Sequence, residues 1–238
     1  MRRLHPAQED LRKFASSSRA KAAKRFFKTG PGEYGEGDVF IGASVPETRS
    51  VAKKHLDSNL DEIALILQSA VHEDRLLALL ILVGRYQSAK SDSAKDQIAK
   101  FYLRQREFIN NWDLVDTSAY KIIGQHCLLR NDSAPLDRLI KSSRHWDRRI
   151  AMVGSFAFIR LGQLDLTYKF ASKILDDSED LMHKAGGWML REAGKKDQKL
   201  LRHFIKRNGK HMPRTMLRYA IEKFSTSERQ QILTATKS

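Results

Sequence analysis

Apolar residues fall along this chain at intervals of three and four, the spacing that lines one face of an α-helix, and no period-two run of β-branched residues interrupts them. Residues 7–28 read as one or two helices ending at Lys28-Thr29-Gly30. From Pro46 onward the pattern predicts helix after helix. Proline suits a first helical position, where its missing N–H would find no partner anyway. The predicted spans are 46–56, 59–69, 73–87, 92–107, 112–129, 135–142, 146–161, 164–175, 180–193, 197–207 and 213–224. Short connections with helix breakers separate them, among them Asp57-Ser58-Asn59, Asn131-Asp132-Ser133, Gly162 and Asn208-Gly209.

A weak internal repeat underlies the pattern. A charged residue leads into an apolar helix at Arg75, Asp116, Arg149, Lys184 and Arg214, in steps of 41, 33, 35 and 30 residues. That range suits paired-helix repeats, in which each pair buries its apolar side against the next. The expected fold is all-α: a curved solenoid of HEAT-like (armadillo-like) helical-pair repeats. Residues 1–238 are expected to form a single domain with a basic concave face.

Charge sharpens this picture. Lys and Arg number 43 against 28 acidic residues, a net +15, which points to a polyanionic partner held by phosphate neutralisation. Cys127 is the single cysteine, so an internal disulfide and a multi-cysteine metal site are excluded. The N-terminus lacks the apolar core of a signal peptide. The longest apolar run, Leu76 to Val83, spans eight residues, against the ~20 a membrane helix needs. The expectation is a soluble protein of a reducing compartment: cytoplasmic, nucleoid-associated when bound to DNA, monomeric and without a membrane partner.

Two candidate sites are rejected on chemistry. The segment from Gly30 to Asp38 formally holds G-x-G-x-x-G, yet no strand precedes it and no helix opens directly after it. Its acids Glu33, Glu36 and Asp38 would repel a pyrophosphate, so a structured loop is the better reading. The eight histidines offer no metal-ligand spacing, and His72-Glu73 lacks a second ligand in register. No metal and no cofactor are expected.

The most informative stretch is Asn110-Asn111-Trp112-Asp113-Leu114-Val115-Asp116. Asn111 suits a helix N-cap, and Asp113 would lie in the first turn, where the helix dipole favours negative charge. Trp112 and Asp116 are four apart and so share one helix face. The other tryptophans, Trp146 and Trp188, also sit in predicted helices near charge, as Trp146-Asp147-Arg148-Arg149 and Gly187-Trp188-Met189-Leu190-Arg191. Core packing is the ordinary fate of one such ring, but a row of three along a basic groove could stack on bases or press on sugars.

These strings, in this order, resemble the DNA alkylation repair glycosylases built of HEAT-like repeats, the AlkD type. Phe26 to Gly37, Val45-Pro46, His72-Glu73-Asp74-Arg75, Asn111 to Asp116, Trp146 to Arg149 and Lys184 to Arg191 carry the resemblance, which runs from about residue 20 to residue 225. It implies a monofunctional DNA glycosylase that removes cationic N3- and N7-alkylated purines, such as 3-methyladenine and 7-methylguanine, from double-stranded DNA without extruding the base. By the family pattern Asp116 is the catalytic carboxylate, with Trp112 and Trp188 flanking the sugar. Arg149 holds the DNA backbone, and Arg191 is a further phosphate contact. Arg148, Trp146 and Arg49 are the remaining DNA-binding candidates; Arg49 matches a basic residue in relatives. A non-catalytic helical-repeat binder of branched or damaged DNA is the alternative within the same fold.

Overall fold

The computed structural model describes residues 4–237. Among the described residues it is all-helical, with no strand; the sole β pairing is a parallel bridge between Val39 and Val71. The chain folds into two compact units, one running up to Ile122 and the other starting at Ile123.

The first unit holds α1 (Pro6–Arg12), α2 (Ser17–Phe26), α3 (Val45–Lys54), α4 (Leu60–Leu67), α5 (His72–Ser88), α6 (Asp92–Arg104) and α7 (Trp112–Ser118). Its centre is α5. This helix buries residues on every side, from Leu76 through Val83, because α3, α4 and α7 all pack on it. Val51 of α3, Ile63 and Ile66 of α4, and Leu114 and Val115 of α7 complete the core. At its far end α7 is tied to α6, where the buried Tyr102 hydroxyl meets Ser118 Oγ at 3.0 Å.

A π-helical turn, Tyr120–Gly124, carries the chain out of α7. The second unit then contains α8 (Gln125–Arg130), α9 (Ala134–Leu139), α10 (His145–Gly154), α11 (Phe156–Arg160), α12 (Asp165–Lys173), α13 (Asp180–Lys196), α14 (Gln198–Asn208), α15 (Arg214–Ala220) and α16 (Thr226–Ala235). Here α13 takes the central place, with α10, α12, α14 and α15 packed on it. Gly187 permits the close approach of α15, since a Cβ there would lie 2.5 Å from the Met216 carbonyl oxygen. Cys127 is buried, and burial pushes its thiol up to about 12, so it behaves as a small apolar side chain.

Most predicted helices appear within a few residues of their expected ends. The predicted 112–129 helix is α7, the π turn and α8; the predicted 146–161 helix breaks at Ser155 into α10 and α11. Residues 7–28 form two helices, α1 and α2. The final helix, α16, lies beyond the last predicted span. Its local signal was present in Ser225 and Glu228, an S-x-x-E start in which Ser225 Oγ accepts from the Glu228 amide at 3.2 Å. No described helix is long and apolar enough to cross a membrane.

Candidate DNA-repair site

In the first unit the site is built on the opening turn of α7. Asn111 is the N-cap, as expected, though its side-chain oxygen accepts from the adjacent Trp112 amide at 2.8 Å. Its own amide group donates to Asp38 Oδ2 at 3.3 Å, and Asn111 is wholly buried. Leu114, Val115 and Ser118 take the buried face of α7, leaving half-buried Trp112 and Asp116 one turn apart on another face. Those two expected site residues are therefore brought together.

Trp112 is held by rings from a distant stretch of chain. Phe27 lies stacked on it, with centroids 5.4 Å apart and planes 18° from parallel, and Phe26 meets it edge-on at 5.7 Å. Phe26 is 64% exposed, and it ends a helix, α2, that buries none of its residues and carries Arg19, Lys21, Lys24 and Arg25. An apolar ring beside Trp112 at the end of an exposed basic helix is an arrangement fit for nucleic acid. The signal in the sequence was the pair Phe26-Phe27 following a basic run.

Beneath these rings lies a cluster of buried charge. The first four residues of α5, His72-Glu73-Asp74-Arg75, are each 5% exposed or less. Between them they tie α1, residues 38–42 and the start of α7. The Glu73 carboxylate accepts from the Gly42 amide at 2.7 Å and from the Ile41 amide at 3.2 Å. Gly42 has φ +80, and a Cβ there would sit 2.2 Å from the Ser16 carbonyl oxygen, so only glycine fits this crossing. Asp74 accepts two bonds from Arg12, at 2.5 and 2.7 Å, and further ones from Gln8 and Ser69. The Arg75 guanidinium donates to Asp38 Oδ1 at 2.6 Å.

His72 bridges two carboxylates. Its Nδ1 is 2.9 Å from Asp38 Oδ2 and its Nε2 is 2.8 Å from Asp113 Oδ2. Burial disfavours the imidazolium, but hydrogen bonds to Asp113 and Asp38 outweigh it and raise the pKa to about 9. Asp38 moves the other way. Burial would raise it, yet His72 and Arg75 keep it below the usual carboxylate range.

The Gly30–Asp38 segment is a structured loop, as expected. Glu33 and Glu36 accept from the Gly30 and Gly32 amides, both at 2.8 Å, so its acids organise its own backbone. Asp38 is the member that reaches the site. Arg49 stands exposed on α3.

The second unit presents its candidates on α10 and α13. Trp188 is half-buried on α13, tilted against Phe156 at a centroid distance of 6.1 Å. Arg149 is buried on α10 and donates through one guanidinium nitrogen to the Leu181 carbonyl oxygen. Arg191 is half-buried and engages Glu222 and Glu192. Two expectations give way. Trp146, expected to stack on nucleic acid, is 6% exposed and packs beside His145, because its helix turns that ring into the core. Arg148, expected to contact phosphate, holds Asp177 through Nε at 2.6 Å and a second nitrogen at 3.0 Å. It also donates to the Ser142 and Ser143 carbonyls, at 3.0 and 2.8 Å, so the fold already occupies its donors.

No group of three or more His, Cys, Asp or Glu among the described residues could hold a metal ion. A surface cavity of about 720 Å³, bordered by Asp132, Phe158, Lys169 and Asp197, contains none of the candidate residues. Half-buried Trp112 and Asp116 offer ring and carboxylate chemistry on one face of α7.

No match is found among curated proteins. Among solved structures, the chain is similar to a predicted DNA alkylation repair enzyme from Enterococcus faecalis. That likeness has 18% identity, covers 89% of this chain and 97% of that one, and gives a TM-score of 0.67, a likeness of fold. The family model of the DNA alkylation repair enzyme matches residues 7–224, nearly the whole chain, and the protein belongs to that family.

Proposed function

We propose that this protein is a monofunctional DNA glycosylase that excises cationic N3- and N7-alkylated purines, 3-methyladenine and 7-methylguanine among them, from duplex DNA. The observation that carries the reading is the shared face of α7, where Trp112 and Asp116 stand one turn apart. Alkylation at N3 or N7 leaves the purine positively charged. When the C1′–N bond breaks, its electron pair stays with the base, which departs neutral and needs no general acid. One carboxylate can then serve where sugar hydrolases usually use two.

Positive charge develops on the deoxyribose as the bond opens. Asp116 stabilises that charge, and the negative face of Trp112 adds about 0.5–2 kcal/mol. Water then attacks C1′ and passes its proton to Asp116 and on to solvent, leaving an abasic site. By the family resemblance Trp188 stands beside the sugar and Arg149 at the backbone, with Arg191 and Arg49 as phosphate contacts; Arg149 and Arg191 reach phosphate by releasing Leu181 and Glu222. By the family resemblance the lesion reacts without being rotated out of the duplex. Free 3-methyladenine and 7-methylguanine released from methylated duplex DNA, separated by chromatography, test the assignment. Normal binding of that DNA with no base release would instead favour a non-catalytic binder of damaged DNA.

A further inference from the structure

We propose that His72 is a positioning residue for the Trp112 and Asp116 face, an imidazolium that clamps the first turn of α7 to the loop carrying Asp38 and backs the ring on which Trp112 lies. Its effect on turnover rests on the glycosylase reading above; its effect on Trp112 does not.

Both ring nitrogens of His72 face carboxylate oxygens, at 2.9 and 2.8 Å. A carboxylate can only accept, so both nitrogens must carry protons, and the ring is the cation. A neutral ring would set a lone pair against one of the two carboxylates. Phe27 and Phe40 pack against the imidazole, with centroids at 4.7 and 4.8 Å, and against each other at 5.1 Å, and the His72 side chain is 2% exposed. Phe27 itself lies between His72 and Trp112, so the order across the site is imidazolium, phenyl, indole.

The charges facing His72 from each packed element are few. Asp38 comes from the loop, Asp113 from α7 and Arg75 from α5 itself, two anions against the two cations His72 and Arg75. The second oxygen of Asp113, Oδ1, is buried without a hydrogen-bond partner, so the contact with His72 is what offsets this carboxylate. Asp113 is next in sequence to Trp112 and three residues before Asp116. Loss of the cation leaves an uncompensated carboxylate in the same helical turn and leaves that turn tied to Asp38 only through the longer Asn111 bond of 3.3 Å. Displacement of a reacting group by about 1 Å can cost on the order of a hundredfold in rate.

The test compares wild type, His72→Gln, Asp113→Asn and the double variant in single-turnover release of 7-methylguanine from a methylated duplex, from about pH 7 to about pH 10. His72→Gln should release base about ten- to a hundredfold more slowly with duplex affinity unchanged. The double variant should recover part of that loss, because the stranded carboxylate is gone. Wild type should lose rate as pH rises through about 9, where the imidazolium loses its proton. Asp113→Asn, the milder change should His72→Gln fold poorly, should move that limb to lower pH, which a merely structural contact would not do. A His72→Gln rate within twofold of wild type, or no alkaline limb in wild type, overturns the proposal and leaves the glycosylase assignment standing.

An inactive wild type would defeat the glycosylase assignment instead. The positioning role is then read from the indole N–H resonances of the protein's three tryptophans. That of Trp112 should move most on His72→Gln, and if it moves no more than those of Trp146 and Trp188, the proposal fails.

Discussion

Two helices of this protein open on the same pair of residues and put it to opposite uses. At the start of α7, Trp112-Asp113 presents its indole half-exposed, with Asp113 held by His72 of α5. At the start of α10, Trp146-Asp147 turns its indole into the core, and Asp147 folds back on its own approach loop through Ser142 at 2.9 Å. The local instruction is alike in both: an aromatic ring and an acid in a first helical turn, where the dipole favours the acid. What differs is the neighbour. Beside α7 stands a cationic ring packed against phenyl groups; at α10 the indole is buried and lies against His145. A tryptophan next to an aspartate is thus no sign of a site until its surroundings are known.

The largest effect expected from this contrast is on stability. Trp146→Ala should lower unfolding free energy by about 3–5 kcal/mol in denaturant titrations, as removal of a large buried ring does. The matching Trp112→Ala should cost clearly less, and equal losses would erase the distinction between a core ring and a site ring. On the chemical side, Asp116→Asn should reduce single-turnover base release by about 10²–10³-fold with duplex affinity retained. Activity near wild type there would remove the carboxylate from the mechanism.

The buried imidazolium adds a dependence on pH opposite in sign to that at α10, where burial lowers the pKa of His145. His72 has its pKa raised from 6.5 to about 9, so its stabilisation is fully present below about pH 6.5 and is lost as pH rises through about 9. That loss, on the order of 3 kcal/mol, should appear as a falling melting temperature over this window and should flatten in Asp113→Asn. The smallest expected effect belongs to the exposed rim. Arg49→Ala should weaken duplex binding evenly across sequences and reduce the salt slope by about one, measured by fluorescence anisotropy at several ionic strengths.

Much of this molecule was legible beforehand. Helices α3 to α6 follow from apolar spacing and breakers, and α5 announces its central place in the unbroken apolar run Leu76–Val83. The face shared by Trp112 and Asp116 needed only the helical period. The division of 146–161 at Ser155 was not legible, because apolar spacing continues across it; Ser155 is wholly buried, with its hydroxyl donating to Met152 O at 2.7 Å and accepting from Thr167 at 3.0 Å. Helix α16 was missed because its apolar face is weak, leaving only its cap to mark it. Arg148 looked like a phosphate ligand because no local rule pairs it with Asp177, 29 residues away.

By itself the sequence determined the all-helical fold, the basic balance, and the pairing of an indole with a carboxylate on one face of α7. Each of these depends on spacing along a few turns or on simple composition, which a chain carries in its own order of residues. Only the tertiary structure decided which tryptophan stays near solvent, which arginine is already engaged, and that His72 stands between Asp38 and Asp113. Those outcomes depend on partners 34 to 41 residues away for the histidine, between groups whose charge is tolerable inside only because each meets its opposite there.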